Sequence, residues 1–267
     1  MDYKELCEKV CAVAQQAGGY IARQREDFSF DRIEFKGAHD MVSYVDREAE
    51  RMIVAALREM TPDAGFITEE GTAGAQGERR KWVIDPLDGT TNFVHGVPPY
   101  CVSIALMEEE RLVVGVIYEV TLGELFYAYE GGSGAFLNGR PIRVSAIGKM
   151  EHALVAVGFA HGTRYHDHIT AFLKEMGFYQ SHTDGVRRLG SAAIHLAYVA
   201  CGRFDVFSQV RLSPWDVAAG ALIAQKAGAV VTDCAGGGNF LFGGEILAAN
   251  PVIHGEFLRT VQALQQP

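Results

Sequence analysis

The sequence predicts a mixed α/β protein, an α+β N-terminal half followed by an α/β C-terminal half. Three observations carry this. Two helical apolar periods open the chain, and a row of short apolar runs broken by turn residues follows. Beyond about Ile147, strand-like runs alternate with helical ones.

Leu6, Val10, Val13, Ala17 and Ile21 recur at three- and four-residue steps and mark a first amphipathic helix, whose last turn is weakened by Gly18-Gly19. Val45, Ala49, Met52, Ile53, Ala56, Leu57 and Met60 mark a second, stopped by Thr61-Pro62. Asp46 stands at its N-terminal end, where a carboxylate suits the helix dipole. Residues 65–68, 82–84, 102–107, 112–118 and 125–129 read as strands of one antiparallel meander, with turn-like breaks between the later ones. Asn138-Gly139 is a turn signal before a last strand at 142–144, and the small, polar stretch 72–78 reads as a mobile loop.

In the second half, residues 154–159 and 204–207 read as strands and 166–176 and 191–200 as helices. A helix over 214–227 has Ser213 as N-cap, Pro214 at its first position and Asp216 completing a box-like start. Strands at 230–232 and 246–248 and a helix over 252–264 close the chain. The division expected is a subdomain over 1–146 and a second over 147–267, with the site between them.

The 267 residues bury an ample core, and 48% hydrophobic with 21% charged residues is ordinary for a soluble globular protein. With 24 basic against 33 acidic side chains the net charge is −9, a poor balance for wrapping nucleic acid. Metal cations would still let such a chain bind an anionic ester. Five scattered cysteines without a C-x-x-C pair argue against a disulfide framework or zinc site. The start of the chain lacks a signal-peptide core and no apolar run is long enough to span a bilayer, so no membrane association and a cytoplasmic location are expected.

The chemistry concentrates in Trp82-Val83-Ile84-Asp85-Pro86-Leu87-Asp88-Gly89-Thr90-Thr91. A carboxylate ending a buried strand is costly unless it is paired or ligates a metal. Taken alone, Asp85 and Asp88 read equally well as turn-formers around Pro86. Gly89-Thr90-Thr91 shifts the balance, because a glycine and two hydroxyls at a helix start make an anion cradle. Glu69-Glu70 alone reads as a solvated loop, and Asp216 alone as a helix cap.

Together these segments are far more specific. With Asp40-Met41-Val42-Ser43 and Asp46, Thr68-Glu69-Glu70-Gly71, Arg188-Leu189-Gly190-Ser191-Ala192-Ala193 and Pro214-Trp215-Asp216-Val217-Ala218-Ala219-Gly220, the chain resembles the inositol monophosphatase family over essentially its whole length. That family lies among the lithium-sensitive, magnesium-dependent phosphatases that include fructose-1,6-bisphosphatases. The resemblance implies a layered αβαβα sandwich and hydrolysis of a small polyol phosphate monoester, commonly by a homodimer. It implies one Mg²⁺ on Glu69, Asp85 and the Leu87 carbonyl, a second on Asp85, Asp88 and Asp216, and a weaker third near Glu69. All are oxygen ligands, as hard Mg²⁺ prefers. It further implies that Thr90 and Asp46, with Glu69, orient and deprotonate an attacking water, with no covalent phosphoenzyme.

By the same resemblance the N–H groups of Gly89 and Thr90 hold the phosphate. Gly190, Ser191 and Ala192 line the ring-binding face, and Glu69, Leu87, Asp88 and Asp216 also border the ester. Seven residues before Asp216 the family usually carries a glutamate, and here Gln209 stands in its place. It keeps one acceptor, adds an NH₂ donor and loses the charge, which puts myo-inositol 1-phosphate in question. Fructose 1,6-bisphosphate, histidinol phosphate and 3′-phosphoadenosine 5′-phosphate are the competing esters. A regulatory binding protein without turnover is the alternative from another class. His161, His166 and His168 read as a polar loop entering a helix, and Arg187-Arg188 and Lys36-Gly37 as surface features at least as readily as phosphate contacts. Gly236-Gly237-Gly238 lacks the following helix that a nucleotide loop needs.

Overall fold

The computed structural model describes residues 1–28, 33–37, 40–74, 79–159 and 166–264, without the side chains of 33–37, 40–43 and 166–168. The readings of the Lys36, Asp40–Ser43 and His161/His166/His168 side chains, and of 75–78 in the polar loop, therefore lie outside the described residues.

The N-terminal half runs α1 (Tyr3–Glu26), β1 (Ile33–Gly37), β2 (Asp40–Ser43), α2 (Tyr44–Met60), β3 (Gly65–Thr68), β4 (Arg80–Asp88), α3 (Thr90–His95), β5 (Cys101–Glu108), β6 (Arg111–Glu119), β7 (Glu124–Tyr129), β8 (Ala135–Leu137) and β9 (Arg140–Ile142). There follow β10 (Leu154–Val157), α4 (His166–His182), β11 (Gly185–Arg187), α5 (Ala192–Ala200), β12 (Val206–Val210), α6 (Pro214–Lys226), β13 (Val230–Thr232), β14 (Glu245–Ala249) and α7 (His254–Leu264). Strands β3 to β9 form one sheet in sequence order, and a second has the order β11-β10-β12-β14-β13. Among the described residues no helix is long and apolar enough to cross a membrane.

Strand alternation builds the layers. Trp82 and Ile84 of β4 join Val102, Ile104, Val114 and Val116 against Val10, Ala14 and Ile21 of α1 and Ile53 and Leu57 of α2. Val83, Ala105, Ile117 and Phe126 point the other way, onto Leu196 of α5 and Ala219, Leu222 and Ile223 of α6. The far side of that helix pair packs on Ala156, Phe207, Ile246 and Ala248 of the second sheet. Val155, Val206, Leu247 and Ala249 face outward onto Tyr179 of α4 and Phe257 of α7. The result is the five-layer αβαβα sandwich, with α5 and α6 between the sheets.

Three features differ from the sequence reading. Helix α1 runs on through Gly18-Gly19 to Glu26, past the last turn that the glycines weakened in the sequence; Gly18 is a packing glycine, with the Tyr118 ring of β6 in the space a Cβ would need. The β1–β2 pair, β8 and β11 carry no alternation signal, and the last predicted strand ends at Ile142. Most consequentially, β3 pairs with β4 in parallel, although β4 to β9 form the antiparallel meander.

Candidate active site

That parallel pair begins the site. With Thr68 opposite Ile84, Glu69 and Asp85 emerge together at the carboxyl ends of neighbouring strands, and the Glu69 N–H donates to the Ile84 carbonyl at 3.3 Å. Just beyond, the β4–β5 register slips between Asp85 and Asp88. Proline has no N–H for the ladder, so Pro86 is tolerated in this interior strand at the irregularity. The Leu87 N–H turns back to Asp85 Oδ1 at 3.0 Å. Gly89 then takes φ +94°, the left-handed conformation glycine tolerates, and caps α3.

Asp46 of α2, Asp88 of β4 and Asp216 of α6 converge from separate layers. Thr90 Oγ1 lies 3.0 Å from both Asp46 Oδ1 and the Leu87 carbonyl oxygen. Asp88 Oδ2 accepts from Ser191 Oγ at 2.6 Å and from the Ala193 N–H at 2.8 Å, so it sits on the N-terminus of α5. Asp216 Oδ2 accepts from the Ser213 N–H at 2.6 Å. The expected contacts Ser191 and Ala192 thus border Asp88, and Gly190 precedes them with its α-carbon against the Asn92 carboxamide. Gln209 is placed in an adjoining cavity that also reaches Ser213.

These carboxylates are electrostatically stressed. Asp85, 2% exposed, is pushed well above the usual carboxylate range, first by burial and then by the charges of Glu69, Asp88 and Asp216. Burial raises Asp88 to about 6 against the pull of its Ser191 and Ala193 donors. Burial and then the charge of Asp88 raise Asp216 to about 7. Among the described residues, no three His, Cys, Asp or Glu side chains are already closed into a metal-holding group. What is present is a buried set of mutually repelling hard oxygen donors, an environment whose field cations would reverse.

Sequence reasoning missed the groups that hold this site in place. Glu50, 0% exposed on α2, accepts from the Glu70 and Thr72 N–H groups at 2.8 and 2.7 Å and from Thr72 Oγ1 at 2.7 Å. It ties the loop bearing Glu69 to the helix bearing Asp46, so Thr72 is anchored. The available signal was a carboxylate one turn after Asp46 on the apolar stripe with Ile53, Val54 and Leu57. His195 Nε2 accepts from the Leu189 N–H at 2.9 Å, and burial drops its pKa to about 3, so a neutral ring braces the Gly190 loop. Asn92 bridges the Pro99 and Leu189 carbonyls. The Gly236-Gly237-Gly238 loop wraps Asp233, which accepts from the N–H groups of Ala235, Gly237 and Asn239. Glu50→Ala is expected to lower stability by ~2–3 kcal/mol and to accelerate amide exchange at residues 70–72. Urea denaturation and hydrogen exchange measure this; unchanged protection there would contradict the bracing role.

Residues 2–266 match the inositol monophosphatase family. The chain belongs to that family. It is 42% identical over 259 residues to an inositol-1-monophosphatase of Mesorhizobium japonicum, covering 96% of each chain. It is 43% identical over 252 residues to the Nus factor SuhB of Pseudomonas aeruginosa, covering 93% of each. Among solved structures, the suhB extragenic suppressor protein of Bartonella henselae superposes with a TM-score of 0.89 at 37% identity, covering 97% of this chain and 98% of that one. The matches span nearly the full length of each of these proteins, and the solved structure shares the fold.

Proposed function

We propose that this chain is a Mg²⁺-dependent phosphatase that hydrolyses the phosphate monoester of a small polyol, inositol monophosphate first among them. The observation that carries the reading is the convergence of Asp85, Asp88 and Asp216 with Glu69, beside a Thr90–Asp46 hydrogen bond of 3.0 Å. Glu69, Asp85, the Leu87 carbonyl, Asp88 and Asp216 would hold two or three Mg²⁺. Bound there, the ions would supply Lewis acidity to the phosphoryl oxygens and acidity to the attacking water.

The protein's own groups do the rest. When Thr90 donates its hydroxyl proton to Asp46, its lone pairs are left to orient a water, and Asp46 provides the acceptor for the proton released. The backbone of Gly89 and Thr90 would border the phosphate, and the positive φ of Gly89 lets that backbone come close without a side chain. Gly190, Ser191, Ala192 and Gln209 border the alcohol. Water oxygen bonds to phosphorus as the ester oxygen leaves, and no protein atom becomes phosphorylated.

Residues 1–146 would supply most metal ligands and 147–267 would complete the site. A lithium-sensitive homodimer acting in the cytoplasm belongs to the same reading, on the family resemblance. A second reading, a regulatory binding protein, has one observation behind it: relatives named Nus factor SuhB are as similar as those named phosphatases. The complete set Glu69, Asp85, Asp88, Thr90 and Asp216 favours turnover, since binding alone needs no nucleophile-orienting pair. Phosphate release from inositol 1-phosphate, fructose 1,6-bisphosphate, histidinol phosphate and 3′-phosphoadenosine 5′-phosphate, each with and without Mg²⁺, decides between the two.

A further inference from the structure

The cavity holding Gln209 contains two acidic side chains with no part in the scheme above, Glu175 and Glu245. It measures about 660 Å³, within the ~300–1,000 Å³ of small-molecule sites. Gly158, Phe172, Glu175, Gln209, Arg211 and Glu245 line it. Ser213, the donor to Asp216, belongs to the same wall, so cavity and carboxylate cluster share the start of α6.

Two side chains there are set with unusual constraint. The Gln209 carboxamide fills the space a Cβ on residue 158 would take, so Gly158 fixes where residue 209 presents its polar end. Glu175 projects from α4, and burial pushes its carboxyl up while the nearby Ser208 and Tyr179 hydroxyls pull the other way. Even so, its Oε1 makes no hydrogen bond of ordinary geometry among the described residues, and neither does the Tyr179 hydroxyl. Buried polar atoms without partners are rare in folded proteins. Of the two, Glu175 lines a cavity of ligand size.

We propose that Glu175, acting beside Gln209, is the specificity-determining carboxylate of this pocket and accepts hydrogen bonds from the hydroxyls of the polyol ester. The proposal rests on the phosphatase reading and deepens it. Carboxylates at both 175 and 209 in one cavity would repel and resist ionisation. A neutral Gln209 leaves the acceptor charge on the helix and adds an NH₂ donor toward the same alcohol. The charge the family usually carries on the strand is, in this chain, supplied from α4.

The test compares kcat/KM, with Mg²⁺, for whichever polyol ester the wild type turns over best and for p-nitrophenyl phosphate, which has no alcohol hydroxyls to read. Glu175→Gln is expected to lower the polyol-to-aryl ratio about ten- to hundredfold, the value of one charged hydrogen bond. Adding Gln209→Glu should restore the ratio to within about threefold of wild type. An unchanged ratio in Glu175→Gln, or a fall that the second substitution does not restore, overturns the proposal. If Glu175→Gln does not fold, Glu175→Asp, which withdraws the carboxylate by one methylene, must show the same loss and the same rescue. Wild-type turnover of p-nitrophenyl phosphate keeps the phosphatase reading whatever the ratios do. Absence of turnover on every ester removes that reading and this proposal with it.

Discussion

Asp85→Asn is expected to lower kcat/KM by roughly 10³–10⁴ while making the metal-free protein more stable. The activity loss follows from the proposed role of Asp85 as the carboxylate that two cations would share. The stability gain follows from its surroundings: a side chain 2% exposed that carries the repulsion of Glu69, Asp88 and Asp216. The neutral amide removes that repulsion, a relief of about 1–3 kcal/mol at pH 8. The pH dependence has a definite sign. A carboxyl group with a raised folded pKa binds extra protons in the folded state. The stability this gives is present below the unfolded value near ~3.9 and is lost as pH rises through the folded values. Those values are about 6 for Asp88 and about 7 for Asp216. Metal-free wild type should therefore lose on the order of 6 kcal/mol between pH 4 and pH 8 from these two groups, and Asp85→Asn less. Urea denaturation in chelator reads both; a wild type whose stability rises over that range, or a destabilised Asp85→Asn, would contradict the electrostatic account.

Thr90→Ala is expected to reduce kcat by about 10²–10⁴ with little change in KM, because orientation and proton acceptance act on the transition state. Asp46→Asn should do the same, and the double variant should be little worse than either alone. The two groups share one 3.0 Å hydrogen bond, and residues acting as a unit are not additive. Steady-state kinetics on a single ester measures this. Multiplying losses, or a change confined to KM, would show that the two do not act together on the attacking water.

Much of this was legible in the residues. The two helical periods, the 65–68 strand and the 230–232 strand match β3 and β13 and the faces of α1 and α2. The expected layer order, which the family resemblance implied, is the one observed. The parallel pairing of β3 with β4 was not legible, because pairing sense depends on a connection rather than on either strand's pattern. That detail matters most, as it sets Glu69 beside Asp85. Glu50 was hidden for a different reason. A glutamate on a helix reads as solvated unless its place on the apolar stripe is weighed against the loop it meets, and that loop is 20 residues away in sequence. Glu175 was hidden likewise, since nothing in the sequence of α4 says that its carboxylate borders the cavity of Gln209.

The most direct measurement is phosphate release by the chelator-treated protein as Mg²⁺ is added back, on the four esters named above. The expected result is negligible turnover without the cation, saturable activation with it, and preference for a polyol ester. Turnover unaffected by Mg²⁺, or none on any ester at any Mg²⁺ concentration, would contradict the assignment of Glu69, Asp85, Asp88 and Asp216 to a metal-dependent phosphatase centre.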